Sequence, residues 1–304
     1  MRIFLTGATG HIGSAVLDAL LRAGHEVDAL VRTPEKVQQV SLRGVRPLVG
    51  DLSVPATYAA AAEDCDRIIH AAFEASSAGQ HVDRLAIDTL LAAARRRAEA
   101  GKSAVVVYTS DIWVLGSTEA PAIEEAAVNP VELVAWRPEH ERFVLGAAHE
   151  GVRTAVLRPG LVYGGARGII GDLLKDAANG LVRVVGNGRN HWACVYDRDL
   201  ADLYLRLVAH PEVSGVYHAN DEADERVDDI VDAIARHAKS RPDVRHVPLE
   251  EARKKLGPQA DALALDQLVR SPRAKAIGWV PTLHSVAGSV ARLLEEFRTA
   301  RAAA

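Results

Sequence analysis

Ionisable side chains crowd one short stretch of the sequence, VAWRPEHER at residues 134–142. The best candidate in it for moving a proton is His140, because an imidazole ordinarily titrates near neutral pH. Pro138 is tolerated only in the first turn of a helix, so the stretch could equally form an acidic helix start that the helix dipole stabilises. It therefore has two interpretations, a proton donor or a purely structural turn.

Glycines at a regular spacing form a second candidate site, TGATGHIG at residues 6–13, between a strand pattern and a helix pattern. In such a loop Gly7 permits a tight turn, Gly10 lets backbone N–H groups approach a pyrophosphate, and Gly13 allows close packing of the helix. The phosphates would rest on the helix N-terminus. An ordinary strand-to-helix turn is the alternative. The spacing favours a dinucleotide site formed by Gly7, Thr9, Gly10, His11, Ile12 and Gly13.

The residue at the end of the second predicted strand selects between the two nicotinamide dinucleotides. NAD binding favours an Asp or Glu about 20 residues beyond the glycine motif, at the ribose 2′-hydroxyl. This chain has ALVRTPEK there, and Arg32 suits the 2′-phosphate of NADP because a guanidinium forks onto phosphate oxygens. Lys36 could assist, and a solvated surface charge is the alternative interpretation of Arg32. The sequence therefore predicts NADP(H) as the cofactor.

The elements that would position these residues alternate between short β-type runs and longer helical patterns. Strand candidates such as IFLT and AVVVYTS are largely apolar and are followed by helical patterns, which indicates a parallel sheet covered on both faces. We expect an α/β fold, a doubly wound parallel sheet of the Rossmann type with a smaller, interleaved C-terminal substrate lobe. The predicted NADP-binding domain comprises residues 1–160 plus about 190–219, and the substrate lobe comprises about 161–189 and 220–304.

Several further motifs give the chain a resemblance to a known superfamily. They are GDL at 50–52, IIHAA at 68–72, VYTSDIWVLG at 107–116, RPGLVYGG at 158–165, VYDRDLADLY at 195–204 and GWVP at 278–281. With them the chain resembles the short-chain dehydrogenase/reductases of the extended or atypical kind, the NAD-dependent epimerase/dehydratase-like group. The resemblance implies more cofactor contacts: Asp51 and Leu52 at the adenine, Ala71 and Ala72 at the ribose, Pro159, Gly160 and Val162 at the nicotinamide, and also Thr109 and His140.

The catalytic residues of that superfamily do not recur in this chain. The family pattern has a Ser or Thr after the fifth strand and a Tyr-x-x-x-Lys on the next helix, and the corresponding positions here are Asp111, Trp136 and His140. An indole cannot protonate an alkoxide, so we expect His140 to be the replacement acid, with Asp111 holding or charging it. A one-residue slip of the alignment would restore Ser110 as a hydroxyl donor. An iminium substrate would need no acid.

Aromatic residues are the main indication of the substrate. NDP-sugar epimerases typically clamp the nucleotide diphosphate with an Arg at the position that is Trp192 here, and an indole supplies an apolar wall instead of a bidentate cation. Trp113, Trp136 and Tyr163 are the other substrate-site candidates, and together they favour an apolar or aromatic substrate. The alternative is that these side chains belong to the core, and Tyr163 lies in a family loop motif.

Composition and charge argue against several other classes of protein. The 36 Lys and Arg against 40 Asp and Glu give a formal net charge of −4, so we expect neither a nucleic-acid nor a membrane partner. The two cysteines are far apart and the 12 histidines are scattered, so neither a disulfide framework nor a metal site is expected. We see no leader pattern and no apolar run of membrane-spanning length, which predicts a cytoplasmic protein. A homodimer is expected from the family resemblance alone.

The leading functional hypothesis is an NADPH-dependent reductase that transfers hydride to a carbonyl, imine or activated C=C of a small, fairly apolar molecule. Two rivals remain open. One is a dinucleotide-binding protein that has lost catalysis and acts as a sensor or regulatory partner. The other is an epimerase or lyase that keeps its NAD(P) cofactor.

Overall fold

The computed structural model describes residues 1–210 and 212–302 of the chain. Its strands are β1 (Arg2–Thr6), β2 (Glu26–Val31), β3 (Arg46–Val49), β4 (Arg67–His70), β5 (Ala104–Thr109), β6 (Val152–Pro159), β7 (Leu161–Tyr163), β8 (Leu181–Val185), β9 (His191–Trp192), β10 (Cys194–Tyr196), β11 (Gly215–Ala219), β12 (Glu225–Arg226) and β13 (Asp243–Val247). Its α-helices are α1 (His11–Arg22), α2 (Pro34–Ser41), α3 (Ala59–Glu63), α4 (Gly79–Glu99), α5 (Arg137–Gly146), α6 (Gly168–Ala178), α7 (Asp197–Ala209), α8 (Val227–His237), α9 (Leu249–Leu256), α10 (Gln259–Leu263), α11 (Pro272–Ala276) and α12 (Val290–Ala302). Short 3-10 helices lie at Pro55–Thr57, Ile112–Leu115, Glu132–Val134 and Ala287–Ser289.

Seven strands form the central sheet, in the order β11-β6-β5-β4-β1-β2-β3. Every neighbouring pair from β6 through to β3 is parallel. Residues 3–5 and 104–107 of two inner strands are buried, as expected where helices cover a parallel sheet. The predicted Rossmann-type α/β fold is confirmed.

The helices beside the sheet carry apolar residues at helical spacing. In α1, Val16, Leu17 and Leu20 are buried, and the long α4 buries a stripe at spacings of three and four residues. Asp83 is the one charged side chain on that buried stripe of α4. Because an ionisable group is costly to bury without partners, Asp83 must have polar neighbours in the core.

By internal contacts the chain divides into two compact units. The first comprises Met1–Ser110, Trp136–Arg158 and Ala201–Tyr217, and the second comprises Asp111–Ala135, Pro159–Leu200 and His218–Ala304. The lobes predicted from the sequence differ from these units mainly at residues 111–135 and 190–200. The prediction assigns both segments to the NADP-binding domain, whereas their contacts lie in the second unit.

Each unit has an apolar core of its own. In the first, Phe4, Leu90 and Val106 belong to one buried cluster that strands and helices share. In the second, residues of α6, α8 and α12 pack together, with Tyr163 and Trp192 in the same cluster. The glycine loop and the histidine candidate both lie in the first unit.

Candidate functional site

The glycine loop between β1 and α1 runs very close to the backbone that follows β4. Gly7 has a φ of 76°, and a Cβ there would lie 2.6 Å from the carbonyl oxygen of Ala71. A Cβ at Gly13 would lie 2.1 Å from the carbonyl oxygen of Gly7. Both distances are far below van der Waals contact, so neither position can carry a side chain unless backbone moves. The two glycines are therefore required by the loop itself.

Helix α1 presents an uncapped N-terminus to this loop. Gly10 precedes the helix and supplies no side-chain cap, and no acidic residue lies in the first turn. The first N–H groups of a helix have no partner within it and carry partial positive charge. The arrangement can therefore accept a phosphate group.

A groove of about 490 Å³ surrounds the loop within the first unit. It is lined by ten of the residues predicted to contact the cofactor: Gly7, Thr9, Gly10, His11, Ile12, Arg32, Asp51, Leu52, Ala71 and Ala72. Its wall also includes Thr33, Lys36, Phe73 and Glu74. The groove is large enough for a substantial part of a dinucleotide.

Arg32 stands at the end of β2 with 63% of its side chain exposed. Its guanidinium lies 3.5 Å from the carboxylate of Glu74. Thr33 caps α2, with Pro34 and Glu35 following, and Lys36 lies in the first turn of that helix. Hydrogen bonds from Ser53 hold the pKa of the Asp51 carboxyl below its usual range, so Asp51 is an anion at neutral pH. The groove therefore holds carboxylates as well as cations, and Arg32 is exposed enough to take a phosphate.

His140 lies near the start of α5 and is buried, with 3% of its surface exposed. Its Nδ1 lies 2.8 Å from Oδ2 of Asp83. The hydroxyl of Tyr108 donates to the same oxygen at 2.9 Å, and Nε2 of His70 lies 3.3 Å from Oδ1. The carboxylate hydrogen-bonded to His140 is thus Asp83 of α4, which sequence reasoning missed, whereas the expected residue was Asp111.

Asp83 is ionised in this setting. Burial alone would raise the pKa of its carboxyl, but the hydrogen bond from His140 and the nearby His70 ring hold that pKa well below its usual range. Its position could have been noticed in the sequence, because a charged residue interrupts the apolar stripe of α4 beside Val82 and Ala86. Nothing local, however, indicates that it meets α5.

Ser110 and Glu141 belong to a second buried cluster in the same unit. Ser110 Oγ donates to Glu141 Oε1 at 2.5 Å, and the Arg158 guanidinium donates to both Glu141 oxygens at 2.9 and 2.5 Å. All three residues are at most 5% exposed. A bidentate pair of this kind is a strong structural contact. Glu141 also accepts the only hydroxyl proton of Ser110.

The remaining strand-end candidates have separate environments. Thr109 Oγ1 lies 2.5 Å from the hydroxyl of the buried Tyr204. Asp111 is in the second unit, where its carboxylate accepts the backbone N–H of Trp113 at 2.8 Å and caps the 3-10 helix there. Neither observation assigns a catalytic role to these residues.

The residues expected at the nicotinamide, Pro159, Gly160 and Val162, also belong to the second unit. Pro159 ends β6, and Val162 lies in β7, where it pairs with Val195. The N–H of Gly160 donates to the Ala219 carbonyl at 2.9 Å. A Cβ at Gly160 would lie 2.5 Å from the Ala193 carbonyl oxygen, so this position needs glycine.

Trp136 is part of an aromatic stack in the first unit. Its ring stacks on Phe73 at a centroid distance of 5.5 Å and meets the His140 ring edge-on at 4.8 Å. The Arg137 guanidinium lies 4.5 Å from the Trp136 ring, and it also donates to the Tyr108 hydroxyl and the Thr109 carbonyl. Phe73 lines the groove and is 49% exposed. The stack thus joins the groove wall to the histidine.

The other aromatic candidates lie in the second unit. Trp192 is 7% exposed and its indole N–H donates to the Leu263 carbonyl at 3.0 Å. Tyr163 is fully buried and its hydroxyl donates to Asp221 at 3.2 Å. Trp113 is half-buried and packs against a small cluster that includes Ile112. Trp136 is therefore the predicted substrate residue with a direct link to the groove wall of the first unit.

Within residues 1–210 and 212–302, no helix combines the length and apolar character that a bilayer crossing requires. The same residues contain no cluster of three or more His, Cys, Asp or Glu arranged to hold a metal ion. Cys65 and Cys194 are free and buried.

Comparisons with known proteins agree with this fold. The family model for the NAD dependent epimerase/dehydratase family matches residues 3–219. An uncharacterized protein of Schizosaccharomyces pombe is 31% identical over 93% of this chain and 95% of its own length. The 4-hydroxy-2-methyl-3-oxo-4-farnesyl-3,4-dihydroquinoline-1-oxide ketoreductase of Stigmatella aurantiaca is 27% identical over 87% of this chain and 84% of the ketoreductase.

Two solved structures share the fold, each with a TM-score of 0.79. One is a human epimerase family protein with NADPH, which is 19% identical. The match covers 97% of this chain and 99% of the human chain. The other is the Thermus thermophilus UDP-glucose 4-epimerase in complex with NAD, which is 22% identical, and the match covers 99% of this chain and 100% of the epimerase chain.

Proposed function

Because this chain belongs to the NAD dependent epimerase/dehydratase family, among the extended short-chain dehydrogenase/reductases, we propose that it is an NADPH-dependent reductase. Its substrate would be a carbonyl, imine or activated C=C of a small, fairly apolar molecule. The observation that carries the proposal is the Gly7–Gly13 cradle with Arg32 on its wall. The ketoreductase among the relatives supports the same reaction class.

The residues of the cradle fit a dinucleotide. A side chain at Gly7 or Gly13 would collide with backbone, and the loop and the α1 N-terminus together leave room for a diphosphate. Arg32 and Lys36 would hold the 2′-phosphate, with Arg32 released from its 3.5 Å contact to Glu74. These contacts support NADPH over NADH.

The bound nicotinamide would supply the hydride. The protein's own part would be to orient the ring, exclude water and deliver a proton. We assign the proton to His140 Nε2, since Nδ1 of the same ring faces Asp83. The exposed face of Phe73, backed by Trp136, would form a flat apolar wall for the substrate.

Cofactor titration of an Arg32→Ala variant tests the coenzyme assignment. Removing charge-assisted hydrogen bonds to a phosphate costs about 1.5–3 kcal/mol, so NADPH affinity should fall about 10- to 150-fold. NADH affinity should change less than about threefold, because NADH has no 2′-phosphate. Arg95→Ala, at an exposed arginine on α4 outside the groove, is the matched control. Equal losses for both cofactors would contradict the assignment of the 2′-phosphate to Arg32.

Turnover separates the reductase from its rivals. The purified protein would be mixed with NADPH and each member of a panel of apolar ketones, aldehydes and imines, and the absorbance of the reduced nicotinamide would be followed over time. Oxidation of NADPH by panel members supports the reductase. Tight NADPH binding without oxidation by any member would favour the non-catalytic sensor, and cofactor-dependent isomerisation or elimination without net oxidation would favour the epimerase or lyase.

A further inference from the structure

A line of buried polar groups connects the start of the glycine loop to His140. It begins at Thr6, the last residue of β1, and continues through His70 at the end of β4 and Asp83 in α4. Each of these residues and His140 is at most 3% exposed. Buried donors need acceptors, so the hydrogen-bond partners of each group determine which of its atoms carries a proton.

Thr6 fixes the protonation of His70. The backbone N–H groups of Ala71 and Ala72 each donate to Thr6 Oγ1 at 3.2 Å, which occupies both lone pairs of the hydroxyl. The hydroxyl proton is left for Nδ1 of His70, 2.7 Å away. His70 therefore accepts at Nδ1 and is a neutral imidazole with its proton on Nε2, the nitrogen that faces Asp83.

Asp83 fixes the protonation of His140 in the same way. An ionised carboxylate can only accept hydrogen bonds. Oδ1 faces the Nε2–H of His70, while Oδ2 accepts from the Tyr108 hydroxyl and must also accept from Nδ1 of His140. Nδ1 of His140 therefore carries a proton, and only the protonation of Nε2 can change.

We propose that Asp83 is a positioning residue that holds His140 as its Nδ1–H form and leaves Nε2 as the nitrogen that carries the exchangeable proton. The Trp136 ring also packs against the imidazole, with the ring centroids 4.8 Å apart and the ring planes at 67°. Arg137 joins the network by donating to the Tyr108 hydroxyl. The arrangement replaces the superfamily's Tyr and Lys with an aspartate and histidine pair.

The role of this pair in catalysis rests on the proposed reductase function. In that reaction NADPH, held by the Gly7–Gly13 cradle and Arg32, would supply a hydride to the carbonyl carbon, and the carbonyl oxygen would take a proton from His140 Nε2. The alcohol and the oxidised cofactor would leave, and neutral His140 would regain its proton from water. Asp83 would stay ionised throughout and hold the proton on Nδ1, so that only Nε2 exchanges a proton in each turnover.

The form of His140 can be read directly in the protein without cofactor. We would record ¹⁵N spectra of the imidazole rings at a pH where the rings are neutral, and assign His140 by the signals that His140→Gln removes. The expected result is a protonated Nδ1 and an unprotonated Nε2 in the parent protein. A parent His140 with its proton on Nε2 would overturn the proposal, whatever the activity.

Two variants test whether Asp83 is the cause. Asp83→Asn keeps the shape of the side chain but can also donate, so His140 should lose its preference for Nδ1–H. Tyr108→Phe removes the other hydrogen bond to the same oxygen and should leave the Nδ1–H form intact. An unchanged preference in Asp83→Asn would count against Asp83.

Kinetics then separate the inference from the function on which it rests. We expect kcat of Asp83→Asn to fall about 100-fold, the lower range for loss of a general acid, with the Kd for NADPH within about threefold of the parent value. Full turnover in Asp83→Asn would overturn the positioning role but leave the reductase intact. A parent protein that binds no nicotinamide dinucleotide would overturn the proposed function, and the ¹⁵N spectra would still decide the form of His140.

Discussion

Asp221→Asn should make the protein less sensitive to pH. Asp221 is 5% exposed, and its carboxylate oxygens accept from the Ala223 N–H at 3.1 Å and from the Tyr163 hydroxyl at 3.2 Å. Burial, with Glu225 and Asp199 nearby, raises the pKa of Asp221 to about 7 from its ordinary 3.8. The asparagine has the same shape, and its amide can serve both neighbours without titrating.

The folded protein binds the Asp221 proton more tightly than the unfolded chain does, and this sets how the free energy of unfolding changes with pH. Between pH of about 4 and about 7 the folded protein holds a proton on Asp221 that the unfolded chain releases, so the free energy of unfolding falls as pH rises through this window. Each tenfold change in proton affinity corresponds to about 1.4 kcal/mol, so the parent protein loses about 4 kcal/mol of unfolding free energy across this window. The difference in unfolding free energy, Asp221→Asn minus parent, should therefore increase by about 4 kcal/mol from pH 4 to pH 8.

Urea unfolding of the two proteins at both pH values measures this difference. Other carboxyls with raised pKa, such as the half-buried Asp197 and the buried Glu124, contribute equally to variant and parent, so their effects cancel in the difference. Asp172→Asn, at an exposed aspartate on α6, is the control and should track the parent. If the variant and the parent lose stability in parallel between pH 4 and pH 8, the burial argument for Asp221 is refuted.

The loop and the buried ion pair give two further predictions. Gly13→Ala should destabilise the protein by about 1–3 kcal/mol and weaken NADPH binding, because the new Cβ would lie 2.1 Å from the Gly7 carbonyl oxygen. Gly146→Ala, where a Cβ meets nothing within 4 Å, is the control, and comparable behaviour of the two variants in thermal melts and titrations would contradict the prediction. Arg158→Met should cost about 3–5 kcal/mol of unfolding free energy by leaving Glu141 buried without its cation, and adding Glu141→Leu should recover most of it. A double variant less stable than Arg158→Met in urea unfolding would show that the ion pair is not the cause.

The fold and the cradle could be predicted because their signals are local. Gly7 and Gly13 stand at a spacing dictated by one turn and one helix start, and the structure places both where no side chain fits. The parallel sheet follows from apolar strands that alternate with amphipathic helices, whereas the order of its strands was not predicted. The position of Arg32 on the groove wall could be predicted in the same way, since the end of β2 lies at a regular distance from the loop, whereas its contact with a phosphate stays a prediction.

The partners of the histidine could not be predicted because they come from contacts between distant elements. His140 and Asp83 are 57 residues apart in the chain and meet only when α5 packs beside α4. Glu141, next to His140 in sequence, lies in a stretch for which an acidic helix start is one of two interpretations, yet it is buried and paired with Arg158 of β6. A charged residue in a sequence predicts an exposed position, and this prediction fails when the fold supplies a buried partner of opposite charge.

Calorimetric titration of the purified protein with NADPH and with NADH tests the central claim most directly. The cradle and Arg32 predict saturable binding of NADPH, at least about tenfold tighter than that of NADH. No binding heat with either dinucleotide over a range of temperatures, or tighter binding of NADH, would contradict the account.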